Sequence, residues 1–151
     1  MSFVLRLVRL TAASAAALSL AACSGTPAGP SETAPAPITS PAIETNAVWS
    51  LRSIVNADGS VQAIKDPTLF TVVLAGNGRV NARADCNRAM GGYSLSGSTL
   101  SIGPMASTRA YCATAPVDQQ FLTLLIGENI VTTSDATLQL SSPRGTLRFG
   151  R

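Results

Sequence analysis

From residue 47 onward the sequence breaks into short apolar runs separated by turn signals at nearly even intervals, and that rhythm restricts the possible folds more than any other feature. Runs with strand character occupy 48–54, 68–75, 79–83, 93–95, 99–102, 130–133, 137–140 and 146–149. Ala75-Gly76-Asn77-Gly78 is a hairpin signal, because Asn-Gly tolerates positive φ. Ser96-Gly97-Ser98, Ser134-Asp135 and Pro143-Arg144-Gly145 separate later runs in the same way. Strands this short and evenly spaced predict an antiparallel sheet that curls toward a barrel or sandwich.

One stretch departs from the two-residue period. In 116–126, Val117, Phe121, Leu124 and Leu125 fall on one face at helical spacing. Thr114 or Ala115 precedes Pro116, a residue suited to a first helical turn; Asp118 complements the positive helix end, and Gly127 can stop the helix. The expected class is α+β, a small, curled, mostly antiparallel sheet of about eight strands. One amphipathic helix should plug or flank its open side, since its apolar stripe must be covered.

The N-terminus has a different composition. Arg6 and Arg9 precede an uncharged Leu/Ala run over 10–22, which ends in Leu20-Ala21-Ala22-Cys23 and is followed by Ser24-Gly25. A basic start, a short apolar run and small residues before a cleavage point are the parts of a secretory signal. With a cysteine at that point the segment resembles a bacterial lipoprotein signal with its lipobox. The run is too short and alanine-rich for a good membrane span of about 20 residues, and Arg6 and Arg9 are not adjacent as a twin-arginine signal requires. The resemblance implies a diacylglyceryl group on the Cys23 thiol, cleavage before it, and acylation of the freed amine. Two or more chains hold a protein stably on a membrane surface. By the sorting rule of the lipoproteins it resembles, Ser24 after the cysteine implies the outer membrane of a bacterial envelope, facing the periplasm. Residues 1–22 are thus the expected signal peptide. Residues 23–46, with five prolines and few large apolar side chains, are the expected disordered tether, able to span about 60 Å when extended. Residues 47–151 are the expected domain.

Charge and cysteines exclude several functions. The formal net charge is +3, but without Arg6 and Arg9 only 9 basic side chains face 8 acidic ones. No Lys/Arg block exists, so a nucleic-acid partner is not expected. With Cys23 used by lipid, Cys86 and Cys112 remain as a pair in an oxidising compartment. A bond between them is worth about 3.5 kcal/mol in the loop-entropy model. The alternative is a redox or metal pair, but the spacing is far from CxxC and the chain has no histidine, so neither a metal nor a cofactor is expected. Without histidine, and with Lys65 as the only lysine, nothing is in place to activate a serine nucleophile. No two carboxylates share a hydrolase motif and no run matches a calcium loop, so no catalytic residues are expected.

The order of elements resembles the META/HslJ-like domain (DUF306). The resemblance rests on Trp49-Ser50-Leu51, Gly78-Arg79-Val80 and Asp85-Cys86-Asn87-Arg88 leading to Gly91-Gly92-Tyr93. It continues through Leu100-Ser101-Ile102, Ala106-Ser107-Thr108 with Cys112 beyond, Phe121 and Leu125 in the helix, and Leu138-Gln139-Leu140. This chain has Asp85 where many members have glycine, and Ala82 where many have another. The resemblance implies a cracked-barrel fold and an envelope or secreted protein linked to heat shock, antibiotic tolerance or secretion, with no reaction attached to the domain.

The most concentrated polar group is Asp85, Asn87 and Arg88 around Cys86, with Arg83 and Arg109 as neighbours a disulfide could bring close. It is either a polar binding patch or a tight turn folded by side-chain-to-backbone hydrogen bonds. The sequence therefore leads to a lipid-anchored, non-enzymatic envelope protein acting through binding in stress response or maintenance. Its partners would be the membrane through Cys23, and an envelope protein or hydrophobic ligand. A lysozyme-inhibitor-like protein or a carrier of hydrophobic ligands is the alternative.

Overall fold

A computed structural model describes residues 42–112 and 116–151. The expected signal over 1–22, the lipidated Cys23, the tether up to residue 41, and Thr114 and Ala115 before the helix lie outside the described residues. Within them run β1 (Trp49–Asn56), β2 (Val61–Ala63), β3 (Phe70–Leu74), β4 (Arg79–Ala84), β5 (Asn87–Ser96), β6 (Thr99–Ile102) and β7 (Ala106–Ser107). Then follow α1 (Val117–Leu125), β8 (Gly127–Ser134), β9 (Thr137–Ser142) and β10 (Gly145–Gly150). All eight expected strands are present, with β2 and β7 in addition.

Pairing is antiparallel throughout the described sheet. The order β1-β3-β4-β5-β6-β8-β9-β10 closes on itself because β10 pairs back with β1, from Ser50↔Gly150 to Asn56↔Gly145. Closure removes the open edges that a flat sheet would expose. Alternation places Val80, Ala82 and Ala84 of β4 inside and Arg79, Asn81 and Arg83 outside.

Two breaks in the wall give the barrel its cracked shape. β1 pairs with β3 only at Trp49↔Val72 and Ser50↔Thr71, then with β2 at Ser53↔Ala63 to Val55↔Val61. β2 and β3 are thus two halves of one strand, interrupted by an excursion that carries a single 3-10 turn, Pro67–Leu69. β5 likewise pairs with β6 over Tyr93–Ser96 and with β7 at Ala89 and Met90. The Gly103-Pro104-Met105 step between those halves lies against Gly91, where an added Cβ would sit 3.0 Å from the Met105 side chain and 3.1 Å from the Pro104 carbonyl.

The barrel interior is filled. Leu51, Ile54, Val72, Val80, Leu100, Phe121, Leu125, Leu138, Leu140 and Leu147 are fully buried, with Trp49, Phe70 and Phe149 nearly so. α1 lies across one end, as its apolar stripe requires. Phe121 sits edge-on between Phe70 and Phe149, at centroid distances of 6.0 and 6.2 Å. Gln120 donates to the Asn56 side chain at the end of β1 (2.7 Å). Arg144, in the turn before β10, donates to the Thr123 carbonyl (2.7 Å) and to that of Ile126, satisfying acceptors left open at the helix C-terminus.

The domain starts earlier than the expected residue 47. Ile43 packs against the core, the Asn46 N–H donates to the Leu74 carbonyl (2.8 Å), and Glu44 pairs with Arg151, which stacks over Trp49. One isoleucine in a Pro/Ala/Thr-rich stretch has too little apolar density to mark this boundary locally.

Candidate functional site

Asp85 and Cys86 form the tight connection between β4 and β5, in which Ala84 pairs with Asn87. Asp85 takes φ +57°, a left-handed conformation that glycine, asparagine and aspartate adopt most readily. Its N–H donates to the Leu69 carbonyl (2.7 Å). Cys86 is disulfide-bonded to Cys112, with their Cα atoms 5.6 Å apart. The bond ties this turn to the segment that leads toward α1.

Asn87 joins the two sides of that staple. It is buried, at 4% exposure. Its Oδ1 accepts from the Ala110 N–H (2.8 Å) and the Thr108 hydroxyl (3.0 Å). Its Nδ2 donates to the Ala110 carbonyl (3.0 Å), Cys112 Sγ (3.0 Å) and, more distantly, Asp118 Oδ2 (3.5 Å). The Thr108 hydroxyl in turn accepts from the Arg88 N–H (3.0 Å). One side chain thereby holds β5, the 108–112 segment and the start of α1 together, because a buried amide must find partners for both ends.

The five residues of the expected polar patch do not form one cluster. Asp85 and Asn87 are buried in the turn. Arg83 and Arg88 are cross-strand partners on the outer face of β4 and β5. Arg83 is drawn aside by the Asp85 carbonyl (2.9 Å) and the Thr68 carbonyl (3.4 Å), while the Arg88 side chain is exposed. Arg109 lies on the other side of the staple and lines a groove with Asn87.

That groove, of about 590 Å³, runs between α1 and the 105–111 segment. It opens where the wall is interrupted, since β7 continues along β5 beyond β6 while β8 pairs with β6 and not with β7. Asp118 and Leu122 of α1, with Ile126 just beyond it, line one wall; Met105, Thr108 and Tyr111 come from the other segment. Asp118 is 6% exposed and its Oδ1 has no hydrogen-bond partner. Tyr111 is 97% exposed at the rim. These residues went unread in the sequence, where Asp118 counted only as a complement to the helix end. The available signal was Leu122 and Ile126, apolar yet outside the core stripe and four residues apart.

Acids whose titration is clearly shifted lie elsewhere. Hydrogen bonds from the Ser60 hydroxyl and N–H hold Asp58 below the usual carboxylate range, and those from Thr68 do the same for Asp66. Both are exposed turn-formers. Among the described residues no group of three or more His, Cys, Asp or Glu could hold a metal ion, and no helix is long and apolar enough to cross a membrane.

The META domain family model matches residues 42–151, beginning where Ile43 and Asn46 join the barrel. No curated protein matches the chain. Among solved structures it is similar to a protein from Burkholderia xenovorans determined by NMR. That protein is 27% identical with a TM-score of 0.59, over 71% of this chain and 82% of that one. A lipocalin-like protein from Bacteroides uniformis is 18% identical, TM-score 0.51, over 70% of this chain and 96% of that one. A DUF4847 family protein from Bacteroides vulgatus is 12% identical, TM-score 0.53, over 72% and 94%. At those last two identities the likeness is one of fold alone. The family pattern spans every described element, and the chain belongs to the META domain family.

Proposed function

We propose that this META domain protein is a lipid-anchored, non-enzymatic binding module of the bacterial cell envelope. Cys23 carries the lipid, the segment after it is the tether, and the barrel faces the periplasm from the outer membrane. The observation that carries this most is the Cys86–Cys112 disulfide, because such bonds form and persist outside the reducing cytosol. The third cysteine then stands alone at the end of the apolar N-terminal run, the position a lipid would take. Binding through the groove beside that disulfide is favoured over carriage inside the barrel, whose interior is filled. A role in envelope maintenance under heat or antibiotic stress accords with the family resemblance.

The test is metabolic labelling with an alkyne fatty acid in a bacterial host, comparing the natural chain with Cys23→Ala. The expected result is label and detergent-phase partitioning for the natural chain alone. Equal labelling and partitioning of the two would overturn the anchor. For the stress role, a deletion strain should lose tolerance to heat or novobiocin and regain it with the gene restored; unchanged tolerance would remove that part of the proposal.

A further inference from the structure

We infer that the groove between α1 and the 105–111 segment binds a single-chain amphiphile with a hydrogen-bond-donating, cationic head, an alkylammonium being its simplest form. The inference deepens the proposed binding role and rests on it. Asp118 and Leu122 stand four residues apart on α1 and Ile126 follows just past its end, so together they line the groove as a stripe. The stripe is polar at one end and aliphatic at the other. Met105 also lines the groove and, like Leu122, packs against the barrel core while staying partly exposed. A ligand that lies along this groove needs a head and a tail.

The polar end specifies the head. Asn87 Oδ1 is taken up by the Ala110 N–H and the Thr108 hydroxyl. Asp118 Oδ2 has the distant Asn87 amide, and Asp118 Oδ1 has nothing. Arg109 lines the same groove but makes no ion pair with Asp118. What is missing at this end is therefore a donor, and a positively charged donor matches a carboxyl group best. Oδ1 is also withdrawn from water, so the head must enter past the rim, where Arg109 and Tyr111 are exposed. A groove of about 590 Å³ suits a small ligand rather than a protein surface.

The experiment uses a chain beginning at Ser24, which keeps every core residue, all of them between Trp49 and Phe149. Backbone amide shifts are followed by NMR during titration with n-octylammonium, n-octanol, n-octanoate and ethylammonium. We expect octylammonium to bind, with shifts at Asn87, Asp118, Leu122 and Ile126. The other three should bind at least about ten-fold more weakly, a difference of about 1.4 kcal/mol. Asp118→Asn should weaken octylammonium by a similar factor, and Leu122→Gln should remove the advantage of octylammonium over ethylammonium. Arg88→Ala, outside the groove, should change nothing. Equal binding of octanoate and octylammonium, shifts confined to other surfaces, or no binding by the natural sequence would each overturn the inference. Because this chain lacks Cys23, failure here leaves the lipid anchor standing, and failure of the labelling experiment leaves the groove standing.

Discussion

Asn87 is the residue on which the candidate site depends most directly. From a buried position its side chain makes hydrogen bonds to the 108–112 segment and to Asp118 of α1, so truncation leaves the Ala110 N–H and carbonyl without their partner. We expect Asn87→Ala to lower stability by about 1–3 kcal/mol in chemical denaturation. A change within a few tenths would show the bridge to be incidental. Asp85 is decided by its backbone. At φ +57° glycine should be accepted as well as aspartate, which accounts for the glycine that many META/HslJ-like domains carry here. Asp85→Gly should melt near the natural protein, and Asp85→Val should cost about 1–2 kcal/mol; equal melting of the two variants would contradict this. The left-handed turn at Asp85 is local information, whereas the side chain of Asn87 bonds Thr108, Ala110, Cys112 and Asp118, far along the chain, which no local pattern encodes. The groove was not legible in the sequence either. Its walls, 105–111 and 118–126, are brought together by long-range contacts, the disulfide and the hydrogen bonds of Asn87 among them.

Among the elements, α1 was legible to within a residue or two, since a helical stripe with Pro116 before it and Gly127 after it is local information. β5 was not. The expected strand began at 93, whereas pairing begins at Asn87, because Asn87, Arg88, Gly91 and Gly92 hide the apolar alternation. β2 and β7 span three and two residues and exist only as continuations of interrupted strands, which no local pattern encodes. The disulfide ties the β4–β5 turn to the approach to α1, and its loss frees the chain between 86 and 112. Cys86→Ser should lower stability by up to about 3.5 kcal/mol and release one titratable thiol at Cys112. An unchanged melting temperature with that thiol exposed would mean that the hydrogen bonds of Asn87 hold the two sides without it.

For the molecule as a whole, closure between β1 and β10 separates a filled barrel from an open sheet. Gly145 stands at that seam with φ +146°, and an added Cβ would lie 2.6 Å from the Val55 carbonyl oxygen. We expect Gly145→Ala to destabilise the protein by about 1–3 kcal/mol, and unaltered stability would show the seam to be looser than its register implies. The barrel class followed from strand rhythm, but the order of strands and the early start at residue 42 required long-range packing of Ile43 and of Asn46 against Leu74. A closed barrel with a packed interior leaves its outer surface and its broken wall for recognition. Under the proposed export and lipid anchoring, that recognition takes place outside the cytosol. The most direct test is intact and peptide mass spectrometry of the protein purified from the membranes of a bacterial host. The account predicts a chain that begins at an acylated Cys23 and lacks two hydrogens at Cys86 and Cys112. An unmodified N-terminus, or both of those thiols reduced, would contradict it.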